Sequence, residues 1–253
     1  MNRYTATVAL IGLALLAGAA GCGSGEELPA GGKTAATSGP NRNSSGAPGT
    51  SSGPAGALAP TAGQLASYVL APGAEAGRYE ASEGMLDEPS SEAYEAMPKV
   101  CTPLTTLSGA GHTAHAYVTV GVPGEFQEVD TDILMRSYSG DGAAAAMKSL
   151  SEAGRRCAVG YTEDRALVEA NVTEVKPVAA PSLGDEALAF RIVVQDVKDR
   201  NISLYKYLTV IRSGSVTLSF RSDILDVKDF GGVPPEVMTA QWEKFTKASG
   251  AGS

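Results

Sequence analysis

The aromatic residues of this 253-residue chain crowd into its C-terminal three quarters, and that partition limits what can fold. Of 15 Phe, Tyr and Trp, 14 lie in 61–253, and the exception is Tyr4. Residues 23–60 hold 9 Gly, 5 Pro, 6 Ser, 3 Thr and 7 Ala, with Leu28 and Leu58 as their large apolar side chains. Such a stretch cannot bury enough surface to offset its ordering entropy. It reads as a disordered tether with an r.m.s. reach of about 35 Å. The foldable part is 61–253, a length that suits one domain.

What precedes the tether is an address. Arg3 and the free amine give a positive start, and an uncharged, largely apolar run over 6–20 ends in Ala19-Ala20-Gly21-Cys22. The run is too short to span a bilayer, which takes about 20 apolar residues. It reads as an export signal over 1–21. Small residues directly before a cysteine resemble the bacterial lipobox, although Ala19 stands where Leu is usual. That resemblance implies a diacylglycerol on the Cys22 sulfur and Cys22 as the new N-terminus. An ordinary secretory peptide with a chance cysteine is the competing reading. The expectation is therefore a protein on the extracytoplasmic face of the cell membrane, anchored by lipid at Cys22, with 22–60 as tether.

Charge narrows the partners. The chain carries 20 Lys+Arg against 28 Asp+Glu, a net of −8, and 61–253 alone carries −9. A grip on nucleic acid rests on neutralising phosphates, so it is disfavoured. A polybasic membrane patch is disfavoured as well.

With Cys22 acylated, Cys101 and Cys157 remain, and outside the membrane such a pair is expected to form a disulfide. A reactive thiol or metal pair is the alternative, and no Cys-x-x-Cys motif supports it. Asp141, flanked by Gly140 and Gly142, is placed to cap a helix on which Ala143, Met147, Leu150, Gly154 and Cys157 form one stripe. Glu152 and Arg156 pair at i,i+4 on its solvated side. A second helix begins at Pro234-Pro235, with Met238, Trp242 and Phe245 facing the core. Six strands are expected, over 114–120, 131–138, 166–175, 186–197, 202–212 and 215–222. Ser213-Gly214 joins the last two as a hairpin. Short connections favour an antiparallel sheet packed with helices, an α+β fold, over a doubly wound parallel one.

The order of these pieces resembles a known family. Lys99-Val100-Cys101-Thr102-Pro103-Leu104, the stretch Arg136-Ser137-Tyr138-Ser139-Gly140-Asp141-Gly142-Ala143, a second cysteine ending that helix and Leu183-Gly184-Asp185-Glu186-Ala187-Leu188 are similar to actinobacterial surface lipoproteins. Those lipoproteins resemble the PknH-like extracellular sensor domains of mycobacterial serine/threonine kinases, over roughly 61–248. The resemblance implies an antiparallel sheet with flanking helices, a cleft, disulfide bonding and a ligand-binding role in the cell envelope. With no kinase domain and one available disulfide here, signalling by phosphorylation is not implied.

No catalytic constellation and no cofactor motif emerges. His112 and His115 form His-x-x-His without the helical spacing that sets two ligands and a base on one face, so no metal is expected, and Asp130 and Asp132 would join them only through the tertiary fold. Gly109-Ala110-Gly111-His112-Thr113-Ala114 leads into a strand where a dinucleotide fold needs a helix, and reads as a turn. The acidic residues Glu80, Glu83, Asp87, Glu88, Glu92 and Glu95 match no calcium loop and read as a solvated face, with a cation or basic partner as the alternative. Gly184 and Asp185 read as a turn entering a strand. Tyr205 and Tyr207 on one strand, with Arg221 on the polar side of the next, are the candidate ligand contacts. The leading expectation is a non-enzymatic domain binding an envelope ligand or protein. A carrier or chaperone for lipid-like molecules is the alternative, and an envelope hydrolase ranks below both.

Overall fold

The computed structural model describes residues 59–125 and 127–250. The signal, Cys22 and nearly all of the tether lie outside them. Ten strands form one wholly antiparallel sheet: β1 (Glu75–Ala76), β2 (Tyr79–Ser82), β3 (Glu95–Met97), β4 (His112–Gly121), β5 (Asp130–Tyr138), β6 (Tyr161–Asp164), β7 (Glu169–Pro177), β8 (Glu186–Gln195), β9 (Ser203–Ser213) and β10 (Val216–Asp223). Their order across the sheet is β1-β2-β4-β5-β10-β9-β8-β7-β6-β3. The α+β, mainly antiparallel expectation holds, and the count of six strands is corrected to ten. The four unexpected strands have two to four residues each, too few for alternation to stand out.

Three helices flank the sheet: α1 (Ala62–Tyr68), α2 (Gly142–Arg156) and α3 (Pro235–Ser249). None of them is long and apolar enough to cross a membrane. On one face, Leu65 of α1 and Val237 and Phe245 of α3 cover Val118, Ile133, Ile211, Leu218 and Phe220. On the other, Met147, Leu150 and Ala153 of α2 cover Phe190, Ile192, Leu208 and Val210. The central strands β5, β8, β9 and β10 thus bury residues on both faces, while the outer strands β1, β2, β3 and β7 leave one face largely exposed.

The α2 stripe is as expected from Ala143 to Cys157. Gly154 is there for space, since a Cβ at that position would strike the Phe190 ring. Asp141 precedes the helix but makes no side-chain capping bond. Cys157 is bonded to Cys101, Cα–Cα 5.9 Å, which fastens the 3₁₀ turn Lys99–Leu104 to the end of α2.

In α3 the buried stripe is Val237, Gln241 and Phe245, with Met238 and Trp242 at its margin. Gln241 is fully buried because its amide is satisfied twice, accepting from Leu70 N at 2.9 Å and donating to Tyr68 O at 2.8 Å. Helix α1 is held at its start by a Thr61/Gln64 capping box.

The Gly184-Asp185 turn reaches further than a local bend. Gly184 sits at φ +67. Asp185 accepts from Gly214 N at 2.7 Å and from Arg212 Nη1 at 2.8 Å, so it latches the β9–β10 hairpin.

Candidate functional site

The pleat separates the sequence candidates. Tyr205 and Tyr207 share the α1/α3 face of β9, whereas Arg221 stands opposite Leu208 and so belongs to the α2 face. All three already have intramolecular partners. Tyr207 is buried against Phe230, and its hydroxyl donates to Asp229 at 2.6 Å. Burial and that bond push its phenol up to about 12. Arg191 lies over the Tyr205 ring at 4.7 Å and spans Glu174 and Asp229 at 2.9 and 2.7 Å. Arg221 Nη2 donates to the carbonyls of Leu104 and Thr105 at 3.0 and 2.8 Å, holding the segment after the disulfide against the sheet.

The concave, chemically loaded surface lies elsewhere. Between the 82–90 segment, β4 and the β4–β5 turn is a cleft of about 630 Å³. Its lining includes Glu80, Glu83, Glu88, Glu125, Asp130 and Asp132 and no Lys, Arg or His. Met85 is fully exposed and Leu86 mostly so at its lip. Among the described residues Glu80, Glu83, Glu125, Asp130 and Asp132 form no ion pair.

The cleft floor is built by β4 and β5. Thr119 faces Asp132 in register, and Tyr117 is one step along the same face. Both hydroxyls donate to Asp132 Oδ1, Thr119 at 3.1 Å. Burial raises the Asp132 carboxyl above its ordinary 3.8, against the pull of those two bonds. Burial and the Asp132 contact push the Tyr117 phenol up too. Asp130 stands directly across from Asp223, and burial together with that like charge and Asp132 raises its carboxyl. Two glycines make room: a Cβ at Gly84 would strike the Tyr117 ring, and one at Gly121 would strike the Asp130 carboxylate.

Part of the acidic stretch is not solvated, which corrects the sequence reading. Glu88 and Glu92 fold inward onto Arg136 of β5, whose side chain is 1% exposed, at 3.0 and 2.7 Å. Glu88 also reaches His115 Nδ1 at 3.6 Å. Desolvation, with Arg136 next, lowers the pKa of His112. Sequence reasoning missed Tyr117, Thr119 and Glu125; a threonine and tyrosine spaced two apart on a strand beside an aspartate-bearing strand were the available signal.

This is a ten-stranded antiparallel sheet with helices on both faces and a cleft at one end. The same fold is seen in the crystal structure of the extracellular domain of PknH from Mycobacterium tuberculosis, with a TM-score of 0.53 and 12% identity over 77% of this chain and 100% of that one. The resemblance read from the sequence is borne out at the level of fold. A protein from Mycobacterium smegmatis described as an Rv0999 ortholog aligns at 13% identity with a TM-score of 0.32, over 69% of this chain and 89% of that one. No family model and no curated protein matches the chain.

Proposed function

We propose that this chain is a lipid-anchored, extracytoplasmic, non-enzymatic domain that binds a cationic ligand in its acidic cleft. The observation carrying the reading is the cleft itself, six carboxylates converging with no basic side chain among its lining residues. Its volume falls in the range of small-ligand sites, roughly 300–1,000 Å³. The exposed Met85 and Leu86 suit a ligand that is apolar beside its positive charges, such as a basic peptide segment or a polyamine. The fold shared with an extracellular domain, and an N-terminus that reads as an export signal, support an extracytoplasmic place. A carrier of lipid-like molecules asks for an apolar cavity. The cleft of about 630 Å³ carries six carboxylates in its lining, which suits a charged ligand better than a wholly apolar one. Asp132 accepts two hydrogen bonds in the cleft floor, which fix its carboxylate toward the cleft.

Titrating the full chain with spermine and with a Lys/Leu peptide tests the ligand. Saturable binding that weakens with salt is expected, and Glu83→Lys and Asp130→Lys should each weaken it by about tenfold, or ~1.4 kcal/mol. Binding equal in wild type and both variants would sink the reading. Acidification should weaken it from a higher pH than free aspartate would, because Asp130 and Asp132 protonate above 3.8. The same raised values mean that these two carboxyls cost stability at neutral pH and return it as pH falls.

The anchor has its own test. Cys22→Ala should move the protein from the membrane to the soluble fraction, and persistent tight membrane association would refute acylation at Cys22.

A further inference from the structure

His112 and His115 are three apart on β4, a spacing that puts side chains on opposite faces of a regular strand. The strand is not regular there. His112 pairs with Tyr138 and Ala114 with Ser137, so two residues of β4 pass against one step of β5. This bulge around Thr113 turns His112 onto the same face as His115, which stands opposite Arg136. The two rings meet edge to face at 5.7 Å. Glu88 comes in from the 83–93 segment over the same face, with its Oε1 at 3.6 Å from His115 Nδ1. One ligand atom from each of the three side chains lies within 4.8 Å of the other two. His112 Nδ1 is buried and makes no hydrogen bond.

We propose that Glu88, His112 and His115 form a divalent transition-metal site of the zinc class, with a coordination position left for water or a ligand. Two imidazoles and one carboxylate are the donor set that suits Zn²⁺, and three protein ligands leave the fourth tetrahedral position open. Zinc bonds of roughly 2.0–2.2 Å require the donors to draw together by about 1 Å, a side-chain adjustment. His115 and Glu88 are 34% and 28% exposed, so an ion has a path in. Arg136 is the obvious objection, being a cation beside the site. Its charge is already matched by Glu88 and Glu92, and the trio is formally −1 before any ion arrives. The guanidinium then acts as the group that orients the ligating carboxylate. Glu88 also lines the acidic cleft, so the open position adjoins the cleft.

The test uses the full chain without a polyhistidine tag, titrated calorimetrically with ZnCl₂ and, separately, with MgCl₂. One Zn²⁺ per chain is expected with no comparable Mg²⁺ binding, because Mg²⁺ prefers oxygen ligands. His115→Gln and Glu88→Gln should each weaken Zn²⁺ binding by about 10–100-fold or more, the range seen when even supporting groups of metal sites are removed. Co²⁺ should give the visible absorption of a low-symmetry nitrogen and oxygen site. Asp130→Lys, which disables the cleft, should leave Zn²⁺ stoichiometry unchanged, so the metal site and the cationic-ligand reading stand or fall separately. Absence of saturable one-to-one Zn²⁺ binding by the wild-type protein overturns the proposal. So does wild-type affinity in His115→Gln, which would move the ion elsewhere.

Discussion

Replacing Cys101 and Cys157 together by alanine is expected to lower unfolding stability by about 4 kcal/mol. The two are 56 positions apart, and in the chain-entropy account closing a loop of that size removes about that much freedom from the unfolded chain. For a domain of this length the melting temperature should fall by roughly 8–16 °C. Both cysteines are within 1% of full burial, and alanine avoids leaving a buried hydroxyl without a partner. The native state should change little, because the segment beyond Cys101 has other fastenings: Arg221 grips the carbonyls of Leu104 and Thr105, and Leu104 and Leu107 sit in the core. Hydrogen exchange should therefore quicken mainly in the 95–107 segment, leaving β8 to β10 protected. A midpoint unchanged from wild type in denaturant would contradict the argument.

The long elements were legible because they carry their own pattern. β4 and β10 alternate apolar with polar residues, β5, β8 and β9 are runs of nine or more residues with few turn formers, and α2 carries its stripe through four turns. Strand β7 was displaced by three residues at its start, since Ala166 adopts φ +65 in the turn after β6, where Asp164 accepts its N–H. Helix α1 was missed despite the Thr61-x-x-Gln64 signature, because its seven residues bury one Leu and leave little stripe to read.

The candidate site was legible only as ingredients. Its carboxylates come from 80–88 and 125–132, and sequence alone reads such acids as solvated. Glu92 is drawn inward by Arg136, 44 positions away, while Glu80 on β2 stays exposed. The histidine pair was legible as a motif but not as a shared face, because the bulge that brings His112 and His115 together has no signature in a three-residue spacing.

Arg136 is the second position where a single change should be severe. It lies mid-strand in β5 with its side chain 1% exposed, and its Nη2 donates to both Glu88 and Glu92 while Nε and Nη1 are buried without partners. Burial works against its charge, and the attraction of Glu92 and Glu88 outweighs that, raising its pKa. Arg136→Met keeps much of the volume and removes the cation, leaving Glu92, 8% exposed, with no counter-charge. Breaking a buried pair from one side in this way costs about 3–5 kcal/mol. The cost belongs to the stranded carboxylates rather than to the worth of the pair. Glu88→Gln/Glu92→Gln/Arg136→Met should accordingly recover most of the loss, and chemical denaturation of the single and triple variants measures both numbers. A single variant within about 1 kcal/mol of wild type would show that the carboxylates escape to water when released. That escape would itself lift the 83–93 segment, unseat Glu88 from His115 and reshape the acidic cleft, so stability and binding at this end of the sheet turn on the same buried guanidinium.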